Sequence, residues 1–420
     1  MLRLPSLAIF RHRAFLRIWA ARALVVMAAQ MQATAIGWQV YDAARAHGQT
    51  IGEAAFLLGL MGLAQFTPLV FLSLIGGNAA DRYDRKRIVF LCYAAKAAIA
   101  AGLVFSIGLG ADALIPVVFA ASLGVGAISA FLPPANTALL PMLVPREELP
   151  QAIAWSSLGF QGGVIAGPVL GGLLYGAGAG APYAAALGLF LAALILLAVT
   201  ATPRQPPVED ARTLRMIAEG LIFVRDNKIV LGAISLDLVV VLLAGAVALL
   251  PVFARDILQA GPGELGVLRS AMGVGAALVA LALAIHPIRA DVGRWMFGAT
   301  ILFGLATIVF GLSQSFWLTA AALAIAGGAD MISVYVRQSL IQLATPDAMR
   351  GRVAAVSFVF ISASNELGDF EAGLTARVFG PVLAVTLGGA AAVAASLGWM
   401  RLFPALAKAD AFEVRPNRLD

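Results

Sequence analysis

The sequence predicts an all-helical polytopic membrane protein of twelve spans, on three observations. Its composition is 61% hydrophobic and 12% charged, with a mean hydropathy of +0.90, whereas a soluble domain is near half apolar and a quarter charged. The apolar residues form continuous Ala-, Leu- and Gly-rich runs, not the alternating ten-residue segments of a membrane barrel. The cations, finally, are concentrated in alternate connections. At roughly 20 residues per span plus short turns, a chain of 420 residues holds about a dozen.

Runs bounded by charge or by Gly/Pro punctuation place the spans at 17–41, 53–76, 88–109, 114–141, 150–175, 182–200, 229–252, 264–286, 295–313, 316–342, 353–377 and 380–402. Arg3, Arg11, Arg13 and Arg17 precede Trp19, and no small-residue cleavage site comes before the first run, so the first helix is expected to be retained and not removed as a signal peptide. With the N-terminus inside, the cytoplasmic segments carry Arg82, Arg85, Lys86, Arg87, Arg146, Arg204, Arg212, Arg215, Arg225, Lys228, Arg289, Arg294, Arg350, Arg352, Arg401 and Lys408. The other side has only Arg45, Arg255 and Arg377. Positive residues hold loops in the cytoplasm, so both termini are expected there, in a plasma (bacterial inner) membrane.

One long polar stretch, 201–228, separates an N-terminal bundle (1–200) from a C-terminal one (229–402), and a tail follows at 403–420. Thr202-Pro203-Arg204-Gln205-Pro206-Pro207 opens it, and its three prolines exclude a continuous helix. Its second half sets Leu214, Ile217, Leu221 and Val224 against Arg212, Arg215, Glu219 and Arg225, the pattern of a helix lying on the membrane surface. A constant offset of 201 residues pairs Gly126 with Gly327, Pro145 with Pro346, Gly167 with Gly368 and Gly172 with Gly373. Such a repeat supports two homologous bundles around a central site.

Between the second and third runs lies the cluster Gly76-Gly77-Asn78-Ala79-Ala80-Asp81-Arg82-Tyr83-Asp84-Arg85-Lys86-Arg87. An acid followed by fixed cations suits a latch that exchanges partners. Gly77, Asp81, Arg82, Arg85 and Lys86 resemble the loop signature of the major facilitator superfamily, with Asp84 where that pattern prefers glycine. Gly163-x-x-x-Gly167-Pro168-x-x-Gly171-Gly172 resembles the fifth-helix motif of its exporters and antiporters. Gln30-Met31-Gln32 with Gly37-Trp38, Pro134-Ala135-Asn136 to Leu143-Val144-Pro145, and Ser364 to Gly373 are similar to the enterobactin-exporter-like, transmembrane secretion effector branch. The resemblance implies two pseudo-symmetric six-helix bundles and export of a small organic molecule, siderophore-like or amphipathic and drug-like, by proton-coupled antiport. It implies that Gly77, Asp81, Arg82 and Arg85 form a cytoplasmic gate, and that the fifth-span glycines seal the bundle interface against ion leak.

Charges within spans cost about 2.5–3.5 kcal/mol each on insertion scales, so they default to function. Arg22, Asp237 and Asp330 fall in the first, seventh and tenth spans. By the resemblance these helices line the cavity; Asp330, beside Gly327 and Gly328, is the first candidate for proton coupling and Asp237 the second. The alternative is a fixed ion pair with Arg22 or Arg337. In the eleventh span Glu366 and Asp369 share a helix face. They can bind protons or a cation, or line a polar seam with Arg269 or Asn78; Glu371 points away. Gln30, Gln32, Asn136 and Gln161 lie at cavity depth, able to hydrogen-bond a substrate or another helix. Trp38, Tyr41, Trp295, Trp317 and Trp399 read as interfacial anchors, and Lys96 and Cys92 as structural.

Some classes are excluded. His12, His47 and His286 are dispersed, so no metal site is expected. There is no GxxxxGK[ST] stretch for an ATP-driven pump and no convergent nucleophile and base for an enzyme, so no cofactor is expected. The net charge of +6 sits in loops and does not point to nucleic acid. The expected partners are a small molecule, protons and the lipid bilayer, with the chain a monomer. A metabolite importer of the same superfamily and a lipid flippase or scramblase are the rivals.

Overall fold

The computed structural model describes residues 7–109, 111–202, 213–346 and 349–410; within them, the side chains of 7, 74, 81, 109, 111–113, 213–217 and 355 are outside the description. The helices are α1 (Arg13–Ala46), α2 (Ile51–Arg82), α3 (Arg85–Ser106), α4 (Ala111–Leu139), α5 (Leu149–Ala177), α6 (Ala181–Ala198), α7 (Thr213–Asp226), α8 (Lys228–Ala244), α9 (Leu250–Val252), α10 (Pro262–Ile285), α11 (Val292–Leu312), α12 (Phe316–Ala344), α13 (Arg350–Phe379), α14 (Pro381–Leu402) and α15 (Pro404–Ala407). Eleven membrane crossings are long and apolar enough by length and composition alone, Lys228–Ile257 counting as one across its interruption. The twelfth, α13, has 30 residues, and its mid-helix Asp369 lines the cavity between the halves.

Local chemistry sets the boundaries. Thr50 and Glu53 form a reciprocal capping box that starts α2. Asp84 caps α3 by accepting the Arg87 backbone N–H at 3.0 Å. The connection between these two helices is therefore only Tyr83 and Asp84. Gly76 to Arg82, expected as a turn, is the last part of α2, where Gly76 sits against the Ala130 backbone of α4. A second difference lies in the seventh span. Expected as one helix over 229–252, it stops at Ala244, passes through a 3-10 turn (Ala246–Leu249) and α9, and ends in a π-helical turn (Phe253–Ile257).

Packing follows the repeat. In the N-terminal half α1 packs on α5 and α6, α2 on α4, and α3 on α4 and α6; in the C-terminal half α8 packs on α13 and α14, α10 on α12, and α11 on α12 and α14. The halves meet along α2 with α13 and α5 with α10. Glycines at the repeat offset make equivalent close approaches. Gly126 meets the Gln65 backbone of α2, as Gly327 meets that of Met272 in α10; Gly167 faces Met27 of α1, as Gly368 faces Val241 of α8. Gly172 reaches the Pro262 backbone at the start of α10, and Gly373 reaches Gly59 of α2. Any side chain at these positions would push two backbones apart.

The two ends differ. The end where α1, α3 and α5 begin, called here the basic end, has separate cores: Phe15, Tyr93 and Phe190 anchor one in the N-terminal half, Met296, Phe297 and Val336 another in the C-terminal half. At the far end one core runs through both halves, from Tyr41 and Leu58 to Phe253, Leu265 and Ala376. The helix α7 docks by Val224 and Gly220 on the start of α13, while Leu221 and Ile222 stay exposed. An ion pair from Glu219 to Arg352 at 2.5 Å fixes it there. The surface helix expected from the sequence is thus tied to α13.

Candidate functional site

Between the halves lies a cavity of about 120 Å³. The N-terminal half contributes Gln32, Gln65, Lys96 and Ser122, the C-terminal half Ala248, Pro251, Arg269 and Asp369. Asp369 accepts a hydrogen bond from the Ala248 backbone N–H, which is available because the seventh span has left its helical ladder at that point. Arg269 faces Asp369 and Glu366. Lys96 has no carboxylate partner among the described residues. Gln32 is 6% exposed, and its side-chain oxygen has no donor. The cavity therefore offers two cations, one carboxylate and an unused acceptor, drawn from both halves.

Other expected residues lie elsewhere. Asp237 is paired with Arg337, both buried, which is the fixed-pair alternative. Asp330 lines a separate cavity of about 110 Å³ inside the C-terminal half. Arg22 lies beside Tyr93, near Asn136, at the basic end of the N-terminal half. Gln161 does not line the central cavity; it donates to the Gly273 carbonyl at 2.7 Å and so joins α5 to α10. Gln30 packs its Cβ against Gly167. Of the fifth-span motif, Gly163, Gly167 and Gly171 face α1, while Pro168 and Gly172 meet α10 through Gly266 and Pro262.

At the charged turn, Arg85 donates to the Ala80 carbonyl at 3.3 Å and to that of Ala138 at 3.0 Å, and Lys86 to that of Thr200 at 2.6 Å, all within the N-terminal half. Gly77 has open space where a Cβ would stand, and Arg82 is exposed. Asp81 occupies the last turn of α2, its side chain outside the described residues. The counterpart in the other half closes on itself through an Arg294–Asp291 pair at 2.9 Å.

Apart from Gln161 and the fifth-span motif, the residues that join the halves were read from sequence as far-side cations or an interfacial anchor, without their partners. At the far end Arg255 pairs with Asp42 at 2.9 Å, Arg45 with Asp256 at 3.5 Å, and the Tyr41 hydroxyl donates to Asp256. Arg377 of α13 lies 4.7 Å from the ring centre of Phe56 in α2. All three far-side arginines of the sequence thus contact the opposite half. The available signal was that two of them accompany acids at the ends of the first and seventh spans. Lys96 and Arg269 carried a weaker one, a cation inside an apolar run.

Known proteins place this architecture. The family model described as transmembrane secretion effector matches residues 4–418. The enterobactin exporter EntS of Shigella boydii serotype 4 (strain Sb227) is 31% identical over 369 residues, covering 85% of this chain and 83% of that protein. That of Escherichia coli O1:K1 / APEC is 30% identical over 367 residues with the same coverage. The crystal structure of a D-xylose-proton symporter superposes with a TM-score of 0.73 at 12% identity, over 93% of this chain and 98% of its own, a likeness of fold. With twelve helices in two related bundles and a family match along nearly its whole length, the chain belongs to the transmembrane secretion effector family of major facilitator transporters.

Proposed function

We propose that the chain exports a small organic molecule from the cytoplasm of a bacterium by alternating access, coupled to an inward flow of protons. The observation that carries this is the central cavity, whose polar groups come from both halves while every cross-half ion pair among the described residues lies at the far end. With the basic end cytoplasmic, a reading the one-sided cations support, the seal is periplasmic and cargo enters from inside. Both termini are then cytoplasmic, and the working units are the bundles 1–200 and 229–402 with the linker 201–228 between them. The enterobactin exporters among the relatives make a siderophore-like cargo the first to test. Lys96 and Arg269 on opposite walls favour an anionic or zwitterionic one, which would draw the halves together on binding.

Gly77, Asp81, Arg82 and Arg85 form the cytoplasmic gate in this scheme. Their own-half bonds belong to the state open at the basic end, and closure exchanges them for partners in the other half. Asp369 and Glu366 link cargo to coupling: an anion that takes Arg269 leaves two neighbouring carboxylates without their counter-charge. Asp237, already paired, keeps a structural role. The experiment is transport of a cargo panel in proteoliposomes with an imposed pH gradient. Gradient-driven movement out of the cytoplasmic compartment, lost on dissipating the gradient, is expected; accumulation in the opposite sense makes the protein an importer, and transbilayer movement of labelled lipid makes it a flippase.

A further inference from the structure

Arg22 of α1 and Lys96 of α3 stand inside spans without a counter-charge among the described residues. The ionisable group that acts on Arg22 is Tyr93, and the one that acts on Lys96 is Cys92. The other cations within spans are provided for: Arg337 is paired with Asp237, and Arg269 faces two acids. A charge in a spanning helix costs about 2.5–3.5 kcal/mol on insertion scales, so an unpaired one needs a reason. Lys96 has one, since it lines the central cavity. Arg22 does not line that cavity, and its place along the wall has to be read from the helices that carry it.

On α1, Ala29 and Ala33 line the central cavity, and positions 22, 29 and 33, spaced by seven and four, share one helix face. At 1.5 Å per residue Arg22 stands about 10 Å from Ala29 toward the basic end. The face that α1 turns to α5 is a different one: the Trp19 indole donates to the Trp155 carbonyl at 2.7 Å, and the backbones of Met27 and Met31 meet Gly163, Gly167 and Gly171. Those contacts fix the rotation of α1 and keep Arg22, which is partly exposed, in line with the cavity. On α3, Tyr93 beside Arg22 and Lys96 on the cavity are three residues apart, about 5–6 Å on a helix surface. Tyr93 is fully buried, and the Asn136 amide reaches its hydroxyl from α4, so the ring is a fixed wall for the guanidinium. The two cations therefore follow one another along the N-terminal half, Arg22 first from the basic end. We propose that Arg22 is the selectivity residue of the approach to the central cavity: its guanidinium receives the carboxylate, phosphate or sulfonate group of an incoming organic anion, which Lys96 takes over about one helical turn further in. A planar guanidinium grips two oxygens of such a group and sets its orientation, whereas an ammonium on a flexible stem accepts it as a point charge. Cations aligned on a low-dielectric wall also concentrate anions and turn other cations away. The direction of travel rests on the export scheme; the selectivity does not.

The test uses the full chain in detergent, without cargo or gradient, in a Cys92→Ser background with Ala29→Cys as a thiol on the central cavity. Its reaction rate is measured with the anionic reagent sulfonatoethyl methanethiosulfonate and with neutral methyl methanethiosulfonate, each normalised to its rate with cysteine in solution. Arg22→Gln should slow the anionic reagent about tenfold at low salt and leave the neutral one unchanged, while Arg22→Lys keeps most of the native rate. The difference should shrink as salt is raised. An anionic rate unchanged in Arg22→Gln, or an equal fall with both reagents, overturns the proposal. So does a failure of both reagents to reach the thiol at Ala29→Cys and also at Ala33→Cys, which lines the same cavity. If Arg22→Gln does not fold, Arg22→Met takes its place under the same criteria. Failure here leaves the export scheme standing, and a failed cargo assay leaves these rates readable.

Discussion

The far end has few charges and the basic end many, yet it is the few that hold the halves together. At the far end each arginine is used across the interface: Arg45 and Arg255 on acids, Arg377 on an aromatic face. At the basic end Arg17, Arg85, Lys86 and Arg350 spend their hydrogen bonds on carbonyls of their own half. Number of charges therefore distinguishes the two ends; pairing across the interface says which end ties the halves together. The glycine contacts agree, since Gly172 and Gly373 bring backbones together across the far half of the interface.

The largest effect is expected from breaking the basic end while sparing the far one. Asp81→Asn should abolish transport at normal insertion, with far-end accessibility unchanged in a cysteine-labelling assay. Normal turnover would remove the turn from the gate. Next comes Gly373→Leu. The ideal Cβ there already falls 2.6 Å from the Gly59 Cα, and overpacking costs about 1–3 kcal/mol. That is roughly a 5- to 150-fold shift toward the far-end-open state, read as faster labelling of Phe56→Cys in a Cys92→Ser background; unaltered labelling would mean that the seam is not the seal.

Smaller effects sharpen the comparison. Tyr41→Phe removes the hydroxyl that holds Asp256 while leaving Arg45 to pair with that acid, so the loss is about 0.5–1.5 kcal/mol, that of an ordinary hydrogen bond. Its labelling rate should rise less than that of Gly373→Leu, and a larger rise would transfer the seal to the polar cluster. Asp42 and Arg255 are 45% and 31% exposed, which limits their pair to about 0.2–1 kcal/mol. Either single alanine should change labelling by a factor of about five or less, and the exchange Asp42→Arg with Arg255→Asp should restore it. Absence of rescue would show that the two charges act separately.

Much of this was legible in the sequence for physical reasons. A span must satisfy its backbone internally and be apolar outside, so hydropathy yields the helices, and the gene-level repeat survives as glycines whose partners are equivalent in the two halves. What was missed depended on the third dimension. Gly245 stands in an apolar run with nothing to mark the break. Lys96 and Arg269 lie 173 residues apart in the chain and meet one cavity only because α3 and α10 face each other across it. Asp330 and Asp369 looked alike as intramembrane acids; packing sends one to an inner cavity and the other to the interface.

The sequence by itself determined the membrane class, the twelve helices, the family and the six-plus-six repeat, because each follows from local hydropathy or from motifs read within one segment. The tertiary structure alone decided which charges are partners, where the seventh span comes apart and which end carries the ion pairs between the halves. Those depend on contacts between segments far apart in the chain, and a charge in a sequence carries its sign but not its neighbour.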